Sequence, residues 1–350
     1  MPCTIVVGGQ YGSEGKGKVV SLYSSSLDNP WVVRCGGPNS GHTTSINGEE
    51  VILRQVPAGA SNPEAMLLLA AGCVIDEDVL LQEVHMLKLD RDRIIVDPRA
   101  VLVEDIDRKS ELEASKQIGS TGSGTGAALI RRMTRQHNIR LVKDSASLQK
   151  HVRVESVAPL LHSCLDNGSH VVIEGTQGFG LSLLHGPYYP YLTARDTTAS
   201  GFAMEVGLSP RQVDSIIMVI RTFPIRVGGN SGPIAEEISW DDIKEISGAP
   251  EVFPEYTSVT KRLRRVAHFD IEAVKMACKY NRPTSLAIMG IDRLDFRNYC
   301  IKEISDLTEE AKRFICNIKL ETGIPVELVG TGFDTKEAIF AQISERILHG

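Results

Sequence analysis

"VVGGQYGSEGKGKVV", residues 6–20, is an apolar run that breaks into glycines and resumes as a helical pattern, "KVVSLYS". A strand feeding a helix through such a turn makes an anion cradle, because glycines let backbone N–H groups approach a phosphate and the helix offers its positive end. Lys16 and Lys18 add cationic donors. The spacing nevertheless fails the Walker A rule, which places four residues between its first glycine and Gly-Lys and then a Ser or Thr. Counting back from Gly15-Lys16, the nearest glycines are Gly12 and Gly9, and Gly17 stands where the hydroxyl belongs. A dinucleotide fingerprint cannot be read through 8–17 in register either. The plainer account is a tight turn with solvated lysines. Ser13, in the middle of the loop, has no evident role in either.

Working outward, apolar runs of strand length recur at 4–9, 31–37, 66–72, 170–175, 215–223, 285–292 and 325–332, each followed by glycine or a polar turn. Apolar on both faces and rich in Val and Ile, they suit a central sheet covered by helices. Helical patterns lie between them at 78–89, 127–136, 145–166, 270–280, 307–322 and 335–348, while 97–126 reads as a surface excursion rather than sheet. The expectation is an α/β chain, 1–350 as one domain, with a largely parallel or mixed sheet and ligands at the strands' carboxyl ends. With 350 residues, 42% hydrophobic, 23% charged and a net charge of −6, the composition argues against a non-specific nucleic-acid or membrane binder. The seven cysteines are scattered without a C-x-x-C pair, which points to a reducing, cytoplasmic setting rather than a disulfide or zinc framework. "MPCTIVV" lacks a basic leader, and "AMLLLAAGCVI" (65–75) is too short to span a bilayer.

Four further loops carry chemistry. "RCGGPNSGHT" (34–43) ends a second strand in glycines and His42, either a proton donor near neutral pH or a structural histidine. "GSTGSGTGAALIRRMTRQ" (119–136) is a glycine and hydroxyl nest entering a helix that bears Arg131, Arg132 and Arg135, or else a flexible loop with a solvated basic face. "EGTQGFGLSLLHGPYYPYLTARDTTASG" (174–201) offers Gln177 and Thr193 to a planar heterocycle, with tyrosines that pack the loop down. "TSVTKRLRRVAHFD" (257–270) gathers Lys261, Arg262, Arg264 and Arg265 in an acidic protein, a carboxylate or phosphate pocket if they converge and a solvated run if they do not.

Taken together and in this order, "GGQYGSEGKGK", "GPNSGHT", "STGSGTG", "EGTQGFG", "YPYLTARDTTASG", "FPIRVGG", "KRLRR" and "GTGFD" closely resemble the adenylosuccinate synthetase family, from residue 4 to about 335. The resemblance implies that family's P-loop-type architecture and its reaction. A nucleoside triphosphate with Mg2+ phosphorylates O6 of a 6-oxopurine nucleotide, and the amine of L-aspartate then displaces that phosphate. It places Gly12, Ser13, Glu14, Gly15, Lys16, Gly17, Lys18, Gly41, His42, Thr43 and Arg264 around the triphosphate, with Gly290, Asp292, Gly330, Thr331 and Gly332 at its base. Lys16 and His42 become catalytic, His42 as proton donor, and Ser13 and the Gly41 carbonyl fall on the metal positions. Ser13, Asn39, Ser40, Thr121, Gln177, Thr193 and Arg262 fall on the purine monophosphate, and Arg135 reaches a neighbouring subunit's site, implying a homodimer. Ser258, Val259, Thr260, Arg262 and Arg264 match the loop that closes on aspartate.

In ordinary members position 13 is aspartate, the base that takes the N1 proton. A serine hydroxyl is a weak base without an activating partner, but it is shorter than a carboxylate and can accept from an exocyclic amine. Guanine gains from that exchange. The substitution resembles the bacteriophage branch that joins aspartate to dGMP, making N6-succino-2-amino-2'-deoxyadenylate in the host bacterial cytoplasm. "MGID" lacks the family's guanine-reading lysine, since Gly290 replaces it, so ATP or dATP is expected as energy donor. "VTKRLRR" differs from the ordinary loop at Val259, Lys261 and Leu263, and "HGPYYPYLT" carries one residue more. An ordinary synthetase acting on IMP and GTP, and a nucleotide binder without catalysis, are the alternatives.

Overall fold

The apolar runs assemble into one ten-stranded sheet. The structure, a computed structural model, describes residues 2–46, 48–114, 118–119, 121–135, 137–257 and 261–340. Near the sheet's centre lies β1 (Cys3–Gly8), buried at every residue, between β10 (Val171–Glu174) and β11 (Ser215–Arg221). Beyond β10 come β2 (Trp31–Arg34), β5 (Met66–Leu69), β7 (Ile94–Val96) and β9 (Arg153–Val154). Beyond β11 come β15 (Ser285–Met289), β16 (Val326–Gly330) and β17 (Ala338–Phe340). Every pairing is parallel except β16 with β17. Unbroken Val/Ile/Leu runs fit strands covered on both faces, and burying each such side chain contributes about 1.5–3 kcal/mol.

The helices are α1 (Lys16–Ser25), α2 (Glu77–Met86), α3 (Asp105–Ala114), α4 (Thr125–Met133), α5 (Ala146–His151), α6 (Val157–Asp166), α7 (Ala199–Val206), α8 (Trp240–Ser247), α9 (Ile271–Asn281) and α10 (Glu309–Thr322). Asp76, Ser145, Thr198, Ser239, Asp270 and Thr308 cap six of them with their side chains. By contrast, α1 and α4 start from left-handed glycines, Gly15 (φ 103°) and Gly124 (φ 79°), with no side-chain cap. Their first N–H groups are left for another anion. Smaller pairings complete the fold: the hairpin β3 (His42–Ile46) and β4 (Glu49–Leu53), the pair β6 (Val74–Ile75) and β8 (Val101–Leu102), and the antiparallel set β12 (Ile225–Arg226), β14 (Arg265–Ala267) and β13 (Glu237–Ile238).

Three sequence expectations are corrected. The helix expected over 145–166 is broken into α5 and α6, because Arg153 and Val154 pair with β7 and Val157 N donates to Asp97 at 2.9 Å. The helix expected over 335–348 instead contains β17, drawn onto the free edge of β16, and 341–348 lie outside the described residues. The stretch 97–126 holds β8 and α3 rather than mere excursion. Among the described residues no helix is long and apolar enough to cross a membrane.

Candidate active site at the carboxyl edge of the sheet

Parallel strands send their following loops off one edge, where ligands of such sheets bind. The loops after β1, β2, β15 and β16, with the end of β11, surround a cavity of about 630 Å³. Ser13–Lys18 form one wall and Ser40–Ser45 another; Arg221, Glu255, Arg264, Gly290, Asp292 and Gly332 also line it.

The glycine loop is shaped by an internal anion. Glu14 is buried, and its Oε1 accepts from Gln10 N at 3.1 Å and Gly12 N at 2.8 Å, while Oε2 accepts from Lys16 Nζ at 2.7 Å. A Cβ on Gly178 would lie 2.2 Å from Glu14 Oε1, so the loop after β10 approaches too closely for any side chain there. Gly17, at the Walker hydroxyl position, is explained by the hairpin: a Cβ would fall 2.8 Å from both His42 Cβ and Thr43 O. Lys18 points the other way, donating to Gly332 O at 3.0 Å and Glu337 O at 2.8 Å. Burial lowers its ammonium to about 8.

His42 is held from behind. Its Nδ1 bonds Glu174 Oε1, and Glu174 Oε2 accepts from Ala58 N at 2.7 Å. Buried Arg34 stands 3.7 Å from that carboxylate and donates to Ser40 O at 2.8 Å and to Leu53 and Val56 O at 3.1 Å. It thus pins both ends of the β3–β4 hairpin. Glu83 of α2 accepts from Gln55 N at 3.0 Å and Val56 N at 2.8 Å, fixing the turn that follows β4. His42 Nε2 is buried without a partner. Burial, with Arg34 and Lys16 nearby, brings the imidazole down to about 4 despite Glu174. The ring therefore enters neutral, with Nε2 free for a proton.

Ser13 is exposed at φ 57°, and Arg264 Nη1 donates to its Oγ at 2.5 Å. Arg221 donates to Ser13 O at 3.2 Å and grips Glu255 at 3.0 and 2.5 Å. Arg221, Arg264 and Arg293 together hold the Glu255 carboxyl down at about 2. The basic run does not converge as a unit. Arg264 and Lys261 line the cavity, Arg265 pairs with Glu237 and donates to Gly232 O at 2.6 Å, and Arg262 is exposed.

Several other sequence candidates lie outside this cavity. Thr331 is buried with its hydroxyl on Ile301 O at 2.9 Å, and a Cβ on Gly330 would lie 2.6 Å from Met289 Sδ. Asp292 and Gly290 line the cavity, and burial raises the Asp292 carboxyl. The α4 nest abuts the 36–41 turn, since a Cβ on Gly37 would meet Thr125 Cγ2 at 2.7 Å. There α3 supplies the anion: Glu111 accepts from Gly124 N and, at 3.2 Å, from Gly126 N. Thr121, Asn39, Gln177 (φ 61°) and Thr193 are half-buried, and Thr193 N donates to Leu181 O at 2.9 Å. Arg135 is exposed at φ 53°, two residues beyond the end of α4. Ser258, Val259 and Thr260 lie outside the described residues. Sequence reasoning missed Arg34, Glu174, Arg221 and Glu255, and also Thr44, whose buried hydroxyl is unpartnered at the cavity wall.

A parallel sheet whose carboxyl edge bears glycine-lined helix starts, lysines and a backed histidine defines an α/β enzyme built to handle nucleotide phosphates. More narrowly, residues 5–153 and 140–299 match the adenylosuccinate synthetase family, and the chain belongs to it, a family of carbon–nitrogen ligases. It is 42% identical to the adenylosuccinate synthetase of Methanocaldococcus jannaschii over 347 residues, 97% of this chain and 96% of that one. The Archaeoglobus fulgidus synthetase is 39% identical over 346 residues, covering 97% and 98%. The fully ligated Plasmodium falciparum synthetase shares the fold, with a TM-score of 0.84 at 21% identity over 97% of this chain and 99% of that one. The cyanophage S-2L succinoaminodeoxyadenylate synthetase, solved with dGMP and with dATP as an energy donor, has a TM-score of 0.80 at 28% identity, covering 97% and 95%.

Proposed function

We propose that the chain, acting as one domain, joins L-aspartate to C6 of dGMP, driven by ATP or dATP hydrolysis, and yields N6-succino-2-amino-2'-deoxyadenylate. The γ-phosphoryl group passes to O6 as ADP or dADP departs, and N1 gives up its proton to a water molecule. The aspartate amine then attacks C6, phosphate departs and the amine loses a proton. The residue at position 13 carries this reading. A hydroxymethyl group, exposed to the cavity and engaged by Arg264, stands where ordinary members of the family carry a carboxylate. It leaves room beside the purine edge and can accept from the 2-amino group.

The remaining roles are those that the family resemblance implies. Lys16, released from Glu14, and the 12–18 loop take the phosphates, with Thr43 beside them. His42 Nε2 faces the reacting oxygen, and incoming phosphate charge favours its protonation, so that Nε2–H donates to O6. Glu174 keeps the ring oriented through Nδ1. Arg264, with the 258–260 stretch and Arg262, receives the aspartate carboxylates. Asn39, Ser40, Thr121, Gln177 and Thr193 take the monophosphate. Arg135, exposed just past the end of α4, acts on the site of a second copy, as the resemblance implies.

The Ser13 hydroxyl and the Gly41 carbonyl are hard oxygen donors at the cavity, and among the described residues no group of three His, Cys, Asp or Glu is arranged to hold a metal. That set suits Mg2+, which keeps waters and is held mainly by substrate phosphates. When bound, the ion supplies neutralisation of the phosphate charge that develops during transfer.

The second reading is an ordinary synthetase using IMP, favoured by archaeal relatives named adenylosuccinate synthetase at about 40% identity. Phosphate release with aspartate and ATP, compared between dGMP and IMP, separates the two. Turnover with IMP alone removes the guanylate reading.

A further inference from the structure

At the start of the turn that bears Asn39 lies an ion pair away from the main cavity. Arg195, on the loop after β10, donates through Nη1 to Glu205 Oε1 of α7 at 2.6 Å. The same oxygen accepts from Gly36 N, just past β2, at 2.8 Å. The two side chains are only 10% and 9% exposed, and neither residue lines the 630 Å³ cavity. Gly72, after β5, is fitted to the pair, since a Cβ there would collide with Glu205 Cγ. Arg195 Nη2 is buried and has no hydrogen-bond partner among the described residues. A buried ion pair adds little net stability, and an orphaned donor subtracts from it. What the pair joins matters more than how strongly it binds.

It joins two segments that both touch the start of α4. A Cβ on Gly37 would meet Thr125 Cγ2 at 2.7 Å, and a Cβ on Gly126 would stand 3.4 Å from Ala194 Cβ. Asn39 follows Gly36 by three residues, and Thr193 precedes Arg195 by two. The Thr193 loop is also closed on itself, with Leu183 N donating to Arg195 O at 3.0 Å. We propose that Arg195 and Glu205 are positioning residues for the purine monophosphate. By tying Gly36 N to the Arg195 loop, they fix the spacing of Asn39 and Thr193 across the first turn of α4. They thereby set the affinity for that nucleotide without touching it. The 12–18 cradle shares none of these bonds, so the triphosphate does not feel the pair. The proposal rests on the ligase reading only in taking the start of α4 as the monophosphate's seat.

The test is the Kd of dGMP, IMP and ADP by calorimetry, with a melting curve for each variant. Glu205→Ala strips the acceptor from Gly36 N and should weaken the tighter-binding monophosphate by roughly 5- to 100-fold, the worth of a buried donor left unpaired. The Kd of ADP should stay within about twofold, since a hydrogen bond absent from its seat cannot contribute there. Glu205→Gln still offers an oxygen to Gly36 N and should recover most of the loss. Arg195→Lys keeps the charge but not the planar fork, and gives an intermediate loss if the alanine variant fails to fold. Steady-state kinetics with the monophosphate that turns over should show the same change in KM, with kcat nearly preserved. Equal weakening of ADP and monophosphate, or a lowered melting temperature with every Kd unchanged, overturns the proposal. Absence of turnover with both monophosphates would remove the ligase reading instead, and the Kd values would still judge the pair.

Discussion

At φ 57° Ser13 occupies left-handed backbone, where Asp and Asn are enriched and serine is not. The backbone alone would favour the carboxylate, so the serine is retained against local preference. Ser13→Asp should fold at least as stably, gaining a charged partner for Arg264, while kcat/KM for dGMP relative to IMP falls about tenfold or more, roughly 1.4 kcal/mol. Phosphate-release kinetics and a melting curve read both halves, and a rise in guanylate turnover would refute the steric account. Behind His42, Glu174→Gln should lower kcat by roughly 10²-fold with little change in the KM for nucleotide, since an amide still accepts from Nδ1–H but loses the charge that favours imidazolium. A loss confined to KM would show that Glu174 merely shapes the pocket. Glu174, Arg34 and Arg221 share a pattern readable in advance: each is a lone charge ending an otherwise apolar strand, and each is buried. A charge there must find a partner on folding. Which partner it finds depends on loops that meet only in three dimensions, so the pairs themselves were not legible.

Among the elements, α1 and the β3–β4 hairpin are fitted to each other through Gly17. Gly17→Ala should push the hairpin and His42 away from the glycine loop. The cost is about 1–3 kcal/mol of stability, by the measure of overpacked cores, with a disproportionate loss of kcat; preserved kcat in a destabilised protein would argue against the fit. At α4, the nest is filled by Glu111 of α3, as the first nest is filled by Glu14. Glu111→Gln should tighten the purine monophosphate a few-fold while costing the ligand-free protein about 0.3–1 kcal/mol, the worth of a charge at a helix start. Calorimetry on the variant decides it, and an unchanged Kd would mean that carboxylate and phosphate do not compete. The glycine nests were legible because φ > 0 and close approach leave a mark on the sequence. The carboxylates that fill them were not, since Glu111 is 13 residues from Gly124 and lies in a stretch read as surface excursion.

For the molecule as a whole, seven unbroken apolar runs announced the sheet, because strands covered on both faces need no polar alternation. The short pairings of two or three residues, β6 with β8 and β12 with β14, carry too little pattern to be seen. Stability against acid follows from Glu255. Its folded pKa of about 2 lies below an ordinary value of 4.5, so the stability it contributes is present above pH 4.5 and disappears as pH falls towards 2. The limit is roughly 3 kcal/mol, reduced by the side chain's 26% exposure. Unfolding of wild type and Glu255→Gln should therefore differ most at neutral pH and converge between pH 4.5 and 2. A constant gap would assign the effect to packing.

Lys18 joins the first loop of the chain to carbonyl oxygens 314 and 319 residues downstream. During translation, then, the cavity lacks the wall formed by residues 332–337 until that stretch emerges from the ribosome. A nascent chain halted before residue 337 can already have formed β1 and α1, yet Lys18 still lacks the two carbonyls that hold it.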